Sequence, residues 1–168
     1  MILMHENEKD IYGDVLSRCV DLMQTLNSAH FKSAFDFANF VQCGEDTAKC
    51  WDALRPYIVY IHIKDAVSTD KENVLCGTGE GKIPELLHKA IVEEGYTGFL
   101  TLERIWCCLT ACRALRPRMQ RTSSVRTSIK NGAEGYAAQY HALCDILAKI
   151  HNVNRKKKEK DSNGKRTE

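Results

Sequence analysis

The sequence predicts an α/β protein in which four parallel strands alternate with helices. Short apolar runs alternate along the chain with segments whose apolar residues recur every three or four positions. This alternation is typical of parallel strands joined by crossover helices. The run at 57–63 reads Tyr-Ile-Val-Tyr-Ile-His-Ile, a composition typical of a strand buried on both faces of a parallel sheet. With 43% hydrophobic and 27% charged residues among 168, the chain can form a packed core.

Each of the four units has its own local signals. The strand candidates, in chain order, are residues 2–4, 31–35, 57–63 and 98–102. The helix candidates are residues 15–26, 45–54, 83–91 and 136–150. Pro56 closes the second helix, Pro84 begins the third and Gly95 ends it, as expected for these residue types at helix termini. The last helix is predicted from an apolar stripe made of Tyr136, Tyr140, Leu143, Leu147 and Ile150.

The number of units sets the size of the fold. A complete (βα)8 barrel needs roughly 250 residues, so four units correspond to half of one. We therefore predict a partial (βα)8, or TIM, barrel over residues 1–151 and a disordered Lys-rich tail over residues 152–168. A half-barrel leaves two strand edges and one sheet face open. A second half is expected to cover it, for example another copy of the chain in a homo-oligomer.

Charge is distributed unevenly along the chain. Residues 1–103 hold 9 Lys/Arg against 17 Asp/Glu, a net −8, whereas residues 104–130 hold 7 Lys/Arg and no acid, a net +7. An acidic body disfavours nucleic acid as the main ligand. No run of 18 apolar residues and no secretory signal is visible, and the 8 Cys form no Cys-x-x-Cys pair. These features predict a cytoplasmic protein with free thiols and no membrane partner.

A titratable residue stands at the end of each strand candidate. Glu6 follows the first, Asp36 the second, His62 lies next to the end of the third and Glu103 follows the fourth. Active sites of parallel α/β barrels lie at the carboxyl ends of the strands, so these side chains are expected to meet. Three carboxylates and an imidazole suit Mn²⁺, Mg²⁺ or Co²⁺, with Zn²⁺ as an alternative. Taken singly, each has a structural explanation, such as an Asx turn for Asp36 or a core histidine for His62.

Five stretches of the sequence resemble one known family. They are residues 5–14, 35–40 (Phe-Asp-Phe-Ala-Asn-Phe), 60–66 (Tyr-Ile-His-Ile-Lys-Asp-Ala), 77–84 (Gly-Thr-Gly-Glu-Gly-Lys-Ile-Pro) and 100–103 (Leu-Thr-Leu-Glu). Together they resemble the sugar phosphate isomerase/epimerase family of xylose-isomerase-like TIM barrels. That family is related to tagatose epimerases, inosose dehydratases and endonuclease IV. The resemblance covers residues 2–103 and extends to the last helix, and it implies the C-terminal half of such a barrel, beginning at the fifth strand.

The resemblance implies a role for each residue at the strand ends. Glu6, Asp36, His62 and Glu103 match the family's metal ligands. Glu6 and Glu103 also match the two glutamates that handle a carbon-bound proton on opposite faces of a cis-enediolate. The implied activity is a metal-dependent isomerase or epimerase of a small sugar or sugar phosphate. Such a metal polarises the substrate carbonyl, and a carboxylate within hydrogen-bond reach acts as the base.

Three further residues are predicted to contact the substrate: Asn39, Lys64 and Asp65. For Lys64 and Asp65 a salt bridge at the rim is an equally good interpretation. Asn39 stands where an endonuclease IV relative would place another histidine ligand. Backbone N–H groups of the loop 77–81 are able to cradle an anion, but a plain turn is the favoured interpretation of a lone Gly-x-Gly-x-Gly.

The sequence departs from the family pattern after Glu103. The family continues with Pro-His-Leu, whereas this chain reads Arg104-Ile-Trp-Cys-Cys-Leu109, and family-like sequence returns near residue 131. The abrupt change of charge and the cysteine cluster lead to the hypothesis that residues 104–130 are read in a shifted frame. An intact homologue carrying the same 27 residues would refute this hypothesis.

Three other functions remain open from the sequence. The first is a catalytically inactive truncated half-barrel or a subunit of a split barrel. The second is an endonuclease-IV-like phosphodiesterase, which needs several metals and more histidines than the strand ends supply. The third is nucleic-acid binding through the basic segments at 113–126 and 155–160. These segments lack interleaved aromatic residues, so a solvated charge run is the default interpretation.

Overall fold

A computed structural model of the chain describes residues 1–103 and 132–164, with side chains described as far as residue 155. The strands are β1 (Leu3–Glu6), β2 (Phe31–Asp36), β3 (Ile58–Ile63), β4 (Asp65–Ala66), β5 (Asn73–Val74) and β6 (Phe99–Leu102). The helices are α1 (Leu16–Leu26), α2 (Phe37–Gln42), α3 (Thr47–Leu54), α4 (Ile83–His88) and α5 (Gly132–Gly164). A 3₁₀ turn (Arg55–Tyr57) precedes β3, and a π-helical turn (Lys89–Glu93) extends α4.

Four strands form one parallel sheet in the order β1-β2-β3-β6. This arrangement confirms the predicted α/β half-barrel. The register places Asp36 opposite His62, and His62 opposite Thr101 on β6. Because the strands are parallel, their carboxyl ends share one edge of the sheet. The short antiparallel hairpin of β4 and β5 lies directly after β3, and its polar sequence gave no strand signal.

One face of the sheet packs against the helices around Phe35. Its ring lies 5.1 Å from Phe37 and from Phe40, and 5.3 Å from Trp51, between ring centroids. All four side chains are fully buried. Aromatic side chains bury large apolar areas and gain further from tilted and edge-to-face contacts, so this group anchors α2 and α3 beneath β2.

The opposite face of the sheet is only partly covered. Side chains alternate along a strand, so Met4 shares this inner face with Glu6, and Tyr60 shares it with His62. The rings of Tyr60 and Phe99 are 5.9 Å apart. Met4 is 42% exposed and Phe99 is 72% exposed. Among the described residues, β1 and β6 each pair with a neighbour on one side only, so the sheet is open at both edges.

Two helices differ from the sequence prediction. Helix α2 was not predicted, because it begins directly after β2 and is only six residues long. Helix α5 buries Gln139, Leu143, Ile146 and Ile150, whereas Tyr136 and Tyr140 of the predicted stripe are exposed. A polar glutamine occupies a core-facing position because its amide bonds the backbone at both ends, as described below. The apolar pattern alone therefore selected the wrong side for the first two turns.

The last helix also runs past the predicted end of the half-barrel. The helical backbone continues over residues 152–164, and the disordered tail over residues 152–168 stays a prediction. Lysine and glutamate are good helix formers, so the helix can continue beyond its packed part. The domain limit at residue 151 stays a prediction, and the basic segment 104–130 with its frame-shift hypothesis lies outside the described residues.

Two further observations concern the described part of the chain. None of its helices combines the length and the apolar content that crossing a bilayer requires. Its five cysteines are free thiols, Cys19, Cys43, Cys50, Cys76 and Cys144. Burial raises the pKa of the Cys19 and Cys76 thiols to about 12, which makes them structural side chains rather than nucleophiles.

Candidate metal centre

Four side chains converge at the carboxyl edge of the sheet. Glu6 and Asp36 end β1 and β2, His62 is the penultimate residue of β3, and Glu103 follows β6. Each offers one ligand atom, and these four atoms lie within 4.8 Å of one another. The residues are those predicted from the sequence, and the parallel register explains their proximity.

His62 lies between the two glutamates. Its Nδ1 is 3.3 Å from Glu6 Oε1 and 3.6 Å from Glu103 Oε1. The close contact with the Glu6 carboxylate raises the pKa of His62, although burial opposes the charged imidazole. The same contact lowers the pKa of the Glu6 carboxyl against the opposing effect of burial. The contact therefore favours a negatively charged Glu6 beside a positively charged His62.

Asp36 is fully buried and uses its two oxygens differently. Oδ1 accepts a hydrogen bond from the Asn39 backbone N–H at 2.8 Å and caps α2, so an Asx-type cap coexists with the cluster role. Oδ2 lies 3.0 Å from Lys64 Nζ. Burial raises the pKa of Asp36 to about 6, even though the Lys64 ammonium lowers it. The carboxylate is thus costly to hold charged without a nearby cation.

The cluster has the properties that a divalent cation requires. Asp36 Oδ2 and His62 Nδ1 are buried and lack a well-directed hydrogen bond, since the nearby Lys64 and glutamate atoms reach only ion-pair contact. Buried polar atoms without a partner are costly, and a metal ion would satisfy both. Around an ion with bonds of about 2.1 Å, opposite ligands lie about 4.2 Å apart, close to the observed spread. The donor set suits Mn²⁺, Mg²⁺, Co²⁺ and Zn²⁺ and does not select one of them.

Lys64 lies within the same cluster. Its Nζ contacts the carboxylates of Asp36 and Glu103, and the side chain is buried. Burial opposes the charge on Lys64, but the two carboxylates outweigh it and raise the pKa of the amine. The salt-bridge interpretation of Lys64 is therefore the arrangement observed, and its ammonium orients two of the four candidate ligands.

Asn39 contacts the cluster through Glu6. Its Nδ2 donates to Glu6 Oε1 at 3.3 Å, and its Oδ1 accepts from Lys9 Nζ at 2.8 Å. Because Lys9 can only donate, it fixes the orientation of the amide and directs the NH₂ group at the glutamate. Asn39 therefore holds Glu6 in place, and its predicted contact with substrate stays a prediction.

The structure does not bring Asp65 into the cluster. The side chain is fully buried, and its carboxylate accepts hydrogen bonds from the backbone N–H groups of Ala66, Gly77, Gly79 and Gly81. Because backbone donors occupy both oxygens, the geometry gives no support to the predicted substrate contact at Asp65, which stays a prediction. The glycine N–H groups of loop 77–81, for which a plain turn is the favoured interpretation, already bind this carboxylate.

Asn7 is a residue of the centre that the sequence did not reveal. It is 2% exposed. Its Nδ2 donates to the Asp36 carbonyl oxygen at 2.9 Å, and its Oδ1 accepts from the Asp36 N–H at 2.8 Å. One amide therefore ties the end of β1 to the end of β2 and fixes Asp36 beside Glu6. Its only signal in the sequence is a polar residue directly after Glu6, which is common in loops.

Replacing Asn7 with alanine tests this tie. Asn7→Ala leaves two buried backbone groups of Asp36 unpaired, at a cost of about 1–3 kcal/mol each. Loss of such an outer partner weakens metal affinity by roughly 10–100-fold. Calorimetric titration with Mn²⁺ measures the affinity, and chemical denaturation measures the stability. Asn27→Ala, at the exposed end of α1, is the control. Equal Mn²⁺ affinity in Asn7→Ala and the control would contradict the assigned role.

Three solved structures share this architecture. A xylose isomerase domain protein from Planctomyces limnophilus is 19% identical with a TM-score of 0.57, over 90% of this chain and 46% of its own. A D-tagatose 3-epimerase-like protein is 16% identical with a TM-score of 0.63, over 91% of this chain and 49% of its own. An L-ribulose 3-epimerase is 16% identical with a TM-score of 0.59, over 94% and 50%. Comparisons with protein-family models and with curated proteins found no match.

The chain spans about half the length of these solved structures. At such identities the likeness establishes the fold, and function has to be argued from the site. The parallel strand order and the matched length agree on the same architecture. The chain therefore has the fold of one half of a (βα)8 barrel, the barrel seen in xylose isomerase domain proteins and sugar epimerases.

Proposed function

We propose that the chain is the metal-binding half of an isomerase or epimerase that acts on a small sugar or sugar phosphate. The observation that carries this proposal is the convergence of Glu6, Asp36, His62 and Glu103 within 4.8 Å at the carboxyl edge of the sheet. Support comes from the solved structures with this fold, two of which are described as a 3-epimerase or 3-epimerase-like protein.

The four residues would hold a divalent ion. When bound, such an ion supplies a Lewis acid for a substrate carbonyl and stabilises the charge that develops on its oxygen. The protein supplies the ligand geometry: Asn7 and Lys64 hold Asp36, Asn39 holds Glu6, and Lys64 also holds Glu103. Ligands held by outer partners need little reorganisation on binding.

In this proposal the two glutamates transfer protons on two sides of a substrate. Glu6 belongs to one edge strand and Glu103 follows the other, with Asp36 and His62 between them. One glutamate removes the proton from the carbon beside the carbonyl, and the C–H electron pair forms the carbon–carbon double bond of a cis-enediolate as the carbonyl oxygen gains negative charge. The second glutamate, which begins this turnover protonated, then donates its proton to the opposite face and is left as the carboxylate, so that the configuration at carbon is inverted.

Lys64 and Asn39 would complete the polar wall of the site. The Lys64 ammonium, shared between two carboxylates, is close enough to the cluster to attract an anionic or hydroxyl oxygen of the substrate. The Asn39 amide borders Glu6, to which its Nδ2 donates. A phosphodiesterase of the endonuclease IV type is less well supported, because the cluster contains a single histidine and position 39 is an asparagine instead of a further histidine.

Metal content and proton exchange test the proposed function directly. The purified chain is loaded with Mn²⁺ and incubated in D₂O with a panel of ketoses and their phosphates. The expected result is one bound metal per site and deuterium incorporation beside the carbonyl of at least one sugar. A folded, metal-loaded sample that exchanges no sugar would leave the non-catalytic half-barrel as the explanation.

We also propose that a second copy of the chain covers the open inner face. The two sheet edges are parallel strands, so β6 of one copy can pair with β1 of another, and two such junctions close an eight-stranded barrel. The exposed Met4 and Phe99 would then lie inside it. The half-length match to single-chain barrels supports this arrangement, since the site needs a second wall to enclose a sugar.

A charge at Phe99 tests the paired arrangement. Light scattering during size exclusion is expected to give the mass of a dimer for the unchanged chain. Phe99→Glu buries an unpaired carboxylate in the closed barrel, a cost of several kcal/mol, so it is expected to give a monomer. Leu26→Glu, at an exposed site on α1, should remain dimeric. A monomeric unchanged chain at micromolar concentration would overturn this part of the proposal.

A further inference from the structure

We infer that Asp65 is the internal anion of the glycine loop 76–81 and that, by fixing this loop, it positions Lys64 at the metal centre. The first half of this inference depends on hydrogen-bond geometry alone. The second half rests on the proposed function, because Lys64 acts on residues that are metal ligands only if that proposal holds.

The carboxylate of Asp65 is completely surrounded by backbone donors. Its Oδ2 accepts from the N–H groups of Gly77 and Gly79, both at 2.9 Å. Its Oδ1 accepts from the N–H groups of Gly81 and Ala66, both at 3.0 Å. Successive N–H groups that point at one centre form an anion-binding concavity. Here the anion is part of the chain, so the loop has no free donor for a substrate phosphate.

The close approach of Asp65 explains the Gly-x-Gly spacing at the end of the loop. A Cβ atom at Gly79 would lie 2.4 Å from Asp65 Oδ1, and one at Gly81 would lie 2.8 Å from the same oxygen. Both distances are shorter than any tolerated contact, so a larger residue would displace the carboxylate. The two glycines are therefore required by the internal anion.

The other side of the loop is held by the last helix. Gln139 of α5 accepts a hydrogen bond from the Cys76 N–H at 2.9 Å through Oε1, and its Nε2 donates to the Val74 carbonyl at 3.2 Å. Gln139 is 1% exposed. The loop is thus clamped between Asp65 and α5, which explains why a polar residue faces the core in that helix.

Lys64 and Asp65 are consecutive, and their side chains act in different places. Asp65 binds the loop, whereas the Lys64 ammonium contacts the carboxylates of Asp36 and Glu103. Four hydrogen bonds to Asp65 leave the backbone at this point little freedom, so the Lys64 ammonium is held at one position. Asp65 is therefore a positioning residue: it acts on the cluster through Lys64 and touches neither metal nor substrate.

Removing the carboxylate should create an empty anion site. Asp65→Ala leaves four N–H donors around a space of carboxylate size, and sodium formate is the probe that can fill it. We expect a lower Tm, at least tenfold faster hydrogen exchange at the amides of Gly77, Gly79 and Gly81, and a Mn²⁺ affinity roughly tenfold weaker, as for loss of an outer partner. Formate should restore all three towards the unchanged chain, which formate itself does not affect.

Asp65→Asn is the matched control. Its amide has nearly the same volume, so formate cannot enter, and its NH₂ group faces N–H donors that it cannot satisfy. This variant should show the same losses of Tm, amide protection and Mn²⁺ affinity as Asp65→Ala, and formate should restore none of them. Should Asp65→Ala fail to fold, Gly79→Ala perturbs the same carboxylate from the loop side and is expected to weaken Mn²⁺ binding similarly.

The outcomes separate the two halves of the inference. If formate changed the Tm and the amide exchange of Asp65→Ala no more than those of the unchanged chain, the assignment of Asp65 as the internal anion would be wrong. The positioning role would be overturned if formate restored the slow amide exchange of the loop in Asp65→Ala while the Mn²⁺ affinity of this variant equalled that of the unchanged chain with and without formate. An unchanged chain that binds no Mn²⁺ would refute the proposed function, whereas the exchange and formate results would still decide whether Asp65 is the anion of the loop.

Discussion

Replacing His62 with alanine is expected to abolish metal binding. His62 supplies the single nitrogen of the donor set and lies between Glu6 and Glu103. Without it, three carboxylates must share a small volume, and their mutual repulsion favours separation of the ligands. Loss of an outer partner already costs 10–100-fold in affinity, so loss of this ligand should cost more than about 100-fold.

Titration of His62→Ala with Mn²⁺, followed by calorimetry and by the electron paramagnetic resonance of free Mn²⁺, measures the effect. His88→Ala is the matched control, because His88 lies on α4 with Nδ1 3.4 Å from Glu93 and belongs to no cluster of the described residues that could hold a metal. Circular dichroism checks that both variants fold. Retention of the unchanged affinity in His62→Ala would refute the metal centre.

The alternative interpretation of His62 as an ordinary core histidine makes a different prediction. A core histidine usually has its ring nitrogens paired, because an unpaired buried nitrogen is costly. Here Nδ1 is buried and has no well-directed hydrogen bond, while the ring packs edge-on against Tyr60 with centroids 5.4 Å apart. Under the core interpretation, His62→Ala would lower the free energy of unfolding. The Mn²⁺ affinity would be the same in the variant and in the unchanged chain, because neither would have a metal site.

The sheet and the cluster could be predicted from the sequence for the same physical reason. Strand β3 is a long apolar run whose burial on both faces dictates a parallel sheet. Once the strands are parallel, their carboxyl ends must lie at one edge, and any residue that ends a strand is placed there. The positions of Glu6, Asp36 and Glu103 could be predicted from this rule alone, once the strand ends were located to within two residues.

Other parts of the site depend on contacts that sequence patterns do not encode. Asn7 pairs with a backbone 29 residues away, and Asp65 binds amides 12–16 residues ahead of it. Backbone groups look alike at every position, so nothing in the residue types announces such a pairing. Gln139 was misplaced for the same reason. The apolar pattern assigns a glutamine to the solvent-facing side of the helix, but this one is buried because it bonds to distant backbone groups.

The second large effect is expected for the two glutamates as proton-transfer groups. Glutamine keeps an oxygen that can face a metal but cannot accept a carbon-bound proton. In Glu6→Gln and in Glu103→Gln, conversion of one epimer into the other should therefore fall by about 10²–10⁴-fold, the usual contribution of a positioned acid or base. Glu85→Gln, at an exposed site on α4, is the control and should retain full activity.

Deuterium exchange distinguishes two proton-transfer groups from one. Each single variant still has one working glutamate, which can remove and return a proton on its own face of the sugar. In D₂O, Glu6→Gln should therefore exchange the proton of one epimer without inversion, and Glu103→Gln should exchange that of the other. This reciprocal pattern follows from the proposed roles of the two residues, which lie at the carboxyl ends of opposite edge strands with Asp36 and His62 between them. If one variant lost exchange with both epimers while the other kept exchange with both, a single glutamate would serve both faces, and the assignment of one glutamate to each face would be wrong.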